Sequence, residues 1–310
     1  MVVGAGASIA QAIDSEVERE FWPPSMLNFA RKTWEKSPYP FLYLFLKAKG
    51  LLPSDDIDLR EVFYNLEANQ KTNIEDFMEF AWKISDQLPL IEGSLTYWDN
   101  MMIHSIGDPI ALLIDQGFHR NGTGFIDLKL TKEVLSKFGP TDFVLNLNYD
   151  TLVEIALSQS DRAFTYLPNT APEGSLPVCK PHGSLNMAFT HNSFAFGDPT
   201  NLWPLFTTGD ERRAYIGLMP PRSNKSYAQM PMAKMMLDGV SDRKPESIVM
   251  WGIGLTGSDV DLNDIYKAWS ESASFVDVIN PDSSVAAKVQ EAIGIETRSY
   301  ASAQKWLETQ

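Results

Sequence analysis

Two polar segments near the middle of the chain carry side chains that can do chemistry. Asn148-Tyr149-Asp150 follows an apolar run that starts at Phe143, and His182 lies within Lys180-Pro181-His182-Gly183-Ser184. A histidine can accept a proton near neutral pH, and amide and carboxylate groups can hold a polar substrate or a water molecule. Asn and Asp are also common turn and cap residues, and a histidine in a turn can be purely structural. The residue types alone therefore leave a catalytic and a structural interpretation open.

Two glycine-rich segments offer a place for phosphate groups. The chain opens with a short apolar strand that runs into Gly4-Ala5-Gly6-Ala7-Ser8, and a later strand, residues 247–251, runs into Gly252-Ile253-Gly254-Leu255. Glycines let the backbone approach a pyrophosphate, and a following helix points its N-terminus at it. The signal is weak by itself, because Ile9 stands where the usual dinucleotide fingerprint has its third glycine.

These segments must be positioned by strands and helices that alternate along the chain. The apolar run before Asn148 predicts a buried strand, and Thr151 to Leu157 carries apolar residues at helical spacing. Asn148 and Asp150 alternate, so they can face one side together. In open α/β sheets, ligands bind outside the carboxyl ends of the strands. We therefore predict an α/β fold with a Rossmann-like parallel sheet. The first strand spans only Met1 to Val3, which leaves both a minimal strand and a truncated start open.

A long helical insertion is predicted between the first strand and the strand that ends at Asn148. Within residues 14–138, several segments carry apolar residues at three- and four-residue spacing, and prolines punctuate them. The predicted helical segments are residues 29–34, 41–49, 59–66, 74–88 and 101–118. Their aromatic residues are expected to form a core.

The chain after His182 changes character twice. Residues 189–227 are rich in Pro, Asn, Thr and Gly, which predicts an irregular loop of a length that commonly serves as a lid. The last third returns to α/β, with a further strand from Phe275 that ends in Asn280-Pro281-Asp282. The predicted elements of this part are strands at 247–251, 275–282 and 297–300, and helices at 259–269 and 285–293.

Composition excludes several classes of protein. The chain has 310 residues and a formal net charge of -14, which argues against nucleic-acid binding because that needs a basic surface. Its one cysteine, Cys179, excludes an internal disulfide and a Cys-rich zinc site, so we expect no metal. There is no secretory signal and no apolar run near twenty residues. We expect a soluble, cytoplasmic protein without membrane contact.

The polar and glycine-rich segments, taken in order, resemble the sirtuins. The segments that carry the resemblance span nearly the whole chain: Gly4 to Ser8, Asn148 to Asp150, Lys180 to Ser184, Gly252 to Leu255 and Asn280 to Asp282. They look most like the divergent prokaryotic sirtuin-like branch, whose members are NAD-cleaving effectors of defence against phage. The four-cysteine zinc ribbon of the deacylases and their Gly-Ile-Pro-x-Phe-Arg stretch are both missing, and Gln11 to Asp14 stand in place of the latter.

The resemblance implies a role for each candidate residue. Asn148 would hold the nicotinamide ribose and the attacking water, Asp150 the nicotinamide amide, and His182 would accept a proton from water or a ribose hydroxyl. Asn280 would reach the adenosine ribose. The pyrophosphate would be bound along two loops, by Gly4, Ala5, Gly6 and Ser8 on one side and by Gly252, Gly254 and Leu255 on the other.

The resemblance also implies a function and partners. Residues 1–310 would form a single sirtuin-like NAD-binding domain that hydrolyses NAD, its substrate, to nicotinamide and ADP-ribose or a cyclised product. We expect a homo-oligomer, or a complex with a separate sensor or ATPase protein, packed through residues 14–138. Three alternatives are kept: a non-catalytic module that binds NAD or ADP-ribose, a protein deacylase, and a Rossmann dehydrogenase. The dehydrogenase is disfavoured by the incomplete glycine fingerprint.

Overall fold

A seven-stranded sheet lies at the centre of the molecule, and each of its strands runs parallel to its neighbours. The computed structural model describes residues 1–34, 42–53, 58–85, 94–120, 124–190, 193–202, 215–219, 227, 231–254 and 260–310. Its strands are β1 (Val2–Val3), β2 (His119–Arg120), β3 (Gly124–Phe125), β4 (Val144–Asn146), β5 (Phe164–Tyr166), β6 (Leu176–Cys179), β7 (Gly183–Thr190), β8 (Ser193–Phe196), β9 (Tyr215–Leu218), β10 (Ile248–Trp251), β11 (Val276–Ile279) and β12 (Thr297–Tyr300). The order β12-β11-β10-β1-β4-β6-β5 confirms the predicted Rossmann-like sheet.

Helices flank this sheet and make up most of the insertion. They are α1 (Ala5–Asp14), α2 (Phe29–Thr33), α3 (Leu42–Ala48), α4 (Leu59–Ala68), α5 (Ile74–Ser85), α6 (Ser94–Phe118), α7 (Lys129–Leu135), α8 (Leu152–Gln159), α9 (Pro231–Ser241), α10 (Val260–Ser270), α11 (Ser284–Ile293) and α12 (Ala303–Leu307), with a 3-10 turn at Arg19–Phe21. In the described part of the chain, no helix combines the length and the apolar character that crossing a membrane requires.

The sheet changes its winding direction between β1 and β10. The chain leaves β1 for β4 on one side, whereas β10 leads to β11 and β12 on the other side. Val2 pairs with Leu145 of β4 and with Met250 of β10, so β1 is central although it has only two residues. Such a switch point opens a crevice at the carboxyl ends of the two central strands, which is where ligands bind in this class of fold.

The insertion between residues 14 and 138 is mainly helical, as predicted. Each predicted segment overlaps one of the helices α2 to α6, and the short hairpin of β2 and β3 and helix α7 complete the region. Its core is aromatic: the ring centroid of Trp34 lies 4.6 Å from that of Phe63 and 4.8 Å from that of Phe77. Phe45 closes the cluster at 5.5 Å from Phe77, and all four side chains are fully buried.

The prediction of an irregular loop over residues 189–227 is wrong for much of its described part. Strands β8, β7 and β9 form a three-stranded antiparallel sheet in that order. The sheet begins directly after His182, at Gly183, which has a φ of 81° and lies so close to β9 that a Cβ atom would meet the Gly217 carbonyl oxygen at 1.8 Å. Glycines and polar residues are used here for close strand pairing, which their loop-like composition concealed.

Candidate functional site

The two glycine loops pack directly against each other across the switch point. Gly4 N–H donates to the Trp251 carbonyl and Gly6 N–H to the Gly252 carbonyl, each at 2.9 Å. Gly252 has a φ of 67°, and a Cβ atom there would lie 2.1 Å from the backbone nitrogen of Ala7. These glycines are therefore required by loop packing, a reason that the sequence interpretation did not include.

The first loop leads into helix α1 and the second toward α10. Ala5 is the first residue of α1, and Gly4 caps it with its backbone alone. A Cβ atom at Gly254 would meet no atom of the described residues within 4 Å. Leu255 lies outside the described residues. The N–H groups of Gly4, Gly6 and Ala7, which were expected to bind the pyrophosphate, donate instead to the carbonyls of Trp251, Gly252 and Gly4, each at 2.9 Å. What the first loop still offers an anion is the positive end of helix α1.

Ser8 joins the side chains of Asn148 and Asp150. The Asn148 amide nitrogen donates to Ser8 Oγ at 2.9 Å and to the Gly4 carbonyl at 3.0 Å, and Ser8 Oγ donates to Asp150 Oδ2 at 2.7 Å. The other Asp150 oxygen accepts from the backbone N–H of Leu152 at 3.2 Å, at the start of α8. The two side chains therefore face one side and are tied to the first glycine loop.

The turn between β4 and α8 is part of a closed ring of polar contacts. Three members of this ring, Asn146, Glu154 and Lys180, were not predicted as site residues. Lys180 Nζ lies 3.1 Å from Glu154 Oε1 and donates to the Asp150 backbone carbonyl at 2.5 Å. The Asn146 amide nitrogen donates to Glu154 Oε1 at 3.2 Å, and its Oδ1 accepts from Asn148 N–H at 3.1 Å. Every member is at most 7% exposed: Ser8, Asn146, Asn148, Asp150, Glu154 and Lys180.

One sequence signal could have found part of this ring. Helix α8 is buried from Leu152 to Leu157, and Glu154 is the one charged residue in that apolar run. A carboxylate inside a buried helix needs a partner, so the pattern implies a hidden cation even though it cannot identify Lys180. Burial raises the pKa of Glu154 and of Asp150, and the Lys180 ammonium opposes that rise in both carboxyls.

His182 is held by contacts to both ring nitrogens. Its Nδ1 lies 2.8 Å from the Leu147 carbonyl, which can only accept, so Nδ1 carries a proton, and in the neutral ring Nε2 is then the acceptor. The Tyr227 hydroxyl donates to Nε2, and the two rings are stacked with centroids 5.8 Å apart. Tyr227, which was not predicted, is itself anchored by its N–H on Asp261 Oδ2 at 2.7 Å. His182 is 9% exposed and Tyr227 is 1% exposed.

Asn280 links the second glycine loop to the end of β11. Its amide nitrogen donates to the Ile253 carbonyl at 3.0 Å, and its Oδ1 accepts from Asp282 N–H at 2.9 Å. The structure thus brings the described candidates to one edge of the sheet. The first glycine loop, Asn148 and Asp150 are in direct contact, His182 joins through Leu147, and Asn280 joins through Ile253.

Neither known proteins nor candidate metal ligands provide a further assignment for this site. No protein-family model matches the chain, and no curated protein is similar to it. Across the described ranges, no group of three or more His, Cys, Asp or Glu side chains is arranged to hold a metal ion. Cys179 is fully buried, its thiol donates to the Met236 carbonyl at 3.3 Å, and burial raises the pKa of that thiol.

Proposed function

We propose that this chain is an NAD glycohydrolase, which cleaves the nicotinamide–ribose bond of NAD and releases nicotinamide and ADP-ribose or a cyclised form of it. The observation that carries the proposal is that hydrogen bonds connect both glycine loops, Asn148 and His182 at the carboxyl edge of the sheet, beside its switch point. A dinucleotide needs phosphate donors close to the groups that handle its reactive ribose. The positive end of helix α1, which favours a phosphate, lies at this edge of the sheet together with Asn148 and His182.

The proposed reaction requires little covalent chemistry from the protein. Loss of nicotinamide passes through an oxocarbenium-like ribose, so the site must orient the sugar, position a water and exclude bulk solvent. Asn148 would orient the ribose and the water, and Asp150 the nicotinamide amide. His182 would accept a proton at Nε2, because Nδ1 is committed to the Leu147 carbonyl. A substrate hydroxyl would then take the place of the Tyr227 hydroxyl at Nε2.

A second candidate, a non-catalytic module that binds NAD or ADP-ribose, is favoured by a specific observation. Both amide protons of Asn148 are already donated, to Gly4 and to Ser8, and both oxygens of Asp150 accept hydrogen bonds from the protein. A catalytic site would have to exchange some of these contacts for contacts to substrate. A pure binding module would need no such exchange.

The biological setting belongs to the same proposal. We propose that the enzyme depletes NAD in the cytoplasm as an effector of defence against phage. A hydrolase of this kind must be restrained at rest, so we propose that it works as a homo-oligomer or together with a separate sensor or ATPase protein. Direct nucleic-acid binding is not part of the proposal, because the net charge is -14.

The deciding experiment is product analysis with purified protein, alone and with candidate partners. NAD is incubated with the chain, and nicotinamide, ADP-ribose and cyclic ADP-ribose are separated by chromatography, while binding of NAD is measured by calorimetry. Formation of nicotinamide in step with loss of NAD is expected. Tight binding of NAD without turnover under any condition would favour the binding module, and neither binding nor turnover would reject both.

A further inference from the structure

Two fully buried charged side chains, Lys180 and Glu154, have no role in the proposed reaction. Both are 0% exposed, and the ammonium lies 3.1 Å from Glu154 Oε1. Lys180 directly follows β6, whereas Glu154 lies in the first turn of α8. The pair therefore connects the carboxyl end of strand β6 with helix α8, which follows strand β4.

Both residues act on the short turn that joins β4 to α8. Lys180 donates to the backbone carbonyl of Asp150, and Glu154 orients the Asn146 amide, whose oxygen accepts the N–H of Asn148. The turn is thus fixed at two backbone positions, one beside each candidate side chain. No other described part of the ring reaches the Asp150 carbonyl in this way.

Stability alone is a weak explanation for this pair. Removing two charges from water carries a large desolvation penalty, and apolar residues of similar volume commonly serve a core equally well. An ion pair in such a place is better explained by the geometry that it imposes. Here that geometry is the backbone of the turn carrying Asn148 and Asp150.

We propose that Lys180 and Glu154 are a positioning pair, which sets the backbone of the turn so that the Asn148 and Asp150 side chains meet Ser8 and the first glycine loop. The catalytic part of this inference rests on the proposed NAD cleavage. Its structural part does not, because the orientation of Asn148 can be observed without any reaction.

The test compares Lys180→Met with the double variant Lys180→Met/Glu154→Gln. The single change leaves a buried carboxyl without its cation, so both stability and turnover should fall. The double change removes both formal charges and should restore most of the thermal stability, yet leave the Asp150 carbonyl without its donor. We expect kcat to stay reduced by about 10- to 100-fold in the double variant, with KM changed far less, because misplacement of reacting groups acts on the chemical step.

Lys244→Met is the matched control, because Lys244 is exposed and precedes β10, at the amino ends of the strands and away from the candidate site. It should match the wild type in every measurement. Recovery of full kcat together with thermal stability in Lys180→Met/Glu154→Gln would overturn the inference, because the pair would then serve the fold only.

A second measurement separates this inference from the proposed function. The side-chain amide of Asn148 donates two hydrogen bonds and should exchange its protons slowly in NMR spectra of the wild-type protein. In the double variant these amide protons should exchange at least about tenfold faster, while backbone amides of β4 and β6 keep their protection. Unchanged Asn148 exchange would refute positioning even if the wild type proves unable to cleave NAD.

Discussion

At the scale of single residues, hydrogen bonds from other groups of the protein fix the candidate side chains in place. His182 is oriented by a backbone carbonyl and a tyrosine hydroxyl, and Asn148 by a carbonyl and a serine. Both side chains are therefore already hydrogen-bonded within the protein. A substrate must therefore compete with groups of the protein for the same atoms, and single substitutions can separate the effects.

The roles of His182 and Asn148 can be tested by single substitutions. His182→Ala and Asn148→Ala should each lower NAD cleavage by about 10²-fold or more, since each removes proton transfer or positioning. Asn148→Ala should also lower the melting temperature, because it leaves Ser8 and the Gly4 carbonyl with one partner fewer in a buried region. Initial rates of nicotinamide release measure the effect. His119→Ala, on the exposed β2, is the control, and wild-type turnover in either site variant would reject the assignment.

Tyr227→Phe should act in the opposite direction. The Tyr227 hydroxyl occupies Nε2 of His182, so a substrate hydroxyl must displace one hydrogen bond to reach that atom. Such a bond is worth about 0.5–1.5 kcal/mol net, so its removal should raise kcat/KM by about 2- to 10-fold. Steady-state kinetics against NAD check this, with Tyr300→Phe on the edge strand β12 as control. A loss of activity would mean that the hydroxyl assists the reaction instead of blocking it.

At the scale of elements, two short helices depend on buried carboxylates. Helix α2 has five residues, and both oxygens of Glu67 accept from the Ala30 N–H at its first turn, at 3.1 and 3.0 Å. Helix α12 is tied to the sheet because Trp306 Nε1 donates to Asp277 Oδ2 at 2.8 Å. Neither helix is long enough to be stable in isolation, so tertiary contacts decide whether it forms.

Glu67 makes the stability of the insertion depend on pH. Burial raises the pKa of Glu67 from its ordinary value of 4.5 to about 7, although the hydrogen bonds from Ala30 oppose the rise. A carboxyl that binds its proton more tightly in the folded state adds stability at low pH, and that contribution is lost as the pH rises from about 4.5 through 7. Glu67→Gln should therefore flatten the decrease in melting temperature between these values. Glu61→Gln, on the exposed side of α4, should leave the decrease as it is in the wild type, and an unchanged profile in Glu67→Gln would contradict the prediction.

We expect Asp277 to contribute strongly to the stability of the part of the sheet formed by β11 and β12. It is 1% exposed, and it accepts two hydrogen bonds from Arg298 of β12 at 2.6 and 2.9 Å as well as the one from Trp306. Asp277→Ala leaves the indole N–H without its acceptor and frees a guanidinium that is itself partly exposed. We expect a loss of about 2–3 kcal/mol in the free energy of unfolding, measured by urea denaturation. Asp242→Ala, at an exposed position, should change it by less than about 0.5 kcal/mol.

How far the sequence could predict these elements depended on how local their causes are. The strands around Val144 and Ile248 and the helices of the insertion follow from periodicity within each segment. They were predicted within a few residues, except that α6 begins at Ser94, well before the predicted start at residue 101. The sheet after Gly183 was missed for two reasons: the local hairpin of β7 and β8 was concealed by its loop-like composition, and β9 pairs with residues of β7 that lie about thirty positions away. The ring around Lys180 was missed for a similar reason, since burial of a charge is a property of the assembled fold.

At the scale of the whole molecule, the insertion is the natural candidate for an assembly surface. Leu27, Tyr43, Leu44 and Leu112 are large apolar side chains within residues 14–138 that are at least 37% exposed, and two of them are adjacent on α3. Apolar side chains left in solvent on an oligomeric protein commonly mark the contact between copies.

We therefore predict that the purified chain associates at micromolar concentration and that Tyr43→Glu with Leu44→Glu shifts it toward monomer. Two charges placed on the contact would have to be buried on association, which is unfavourable. Light scattering with parallel measurement of NAD turnover follows both properties. Met235→Glu changes a side chain of similar exposure on α9, outside the insertion, and should not alter the mass. A wild-type protein that is strictly monomeric and fully active alone would rule the prediction out.

The brevity of β1 has a mechanical consequence. This central strand holds each neighbour through only two paired residues, whereas β10, β11 and β12 are joined through four. The sheet is thus narrow where its two halves meet, and only β4 with β6 is joined through equally few described pairs. At the carboxyl end of β1 and β10, the two glycine loops join the halves further through direct backbone contacts. A dinucleotide bound across both loops would connect the two halves of the sheet and stiffen the junction between them.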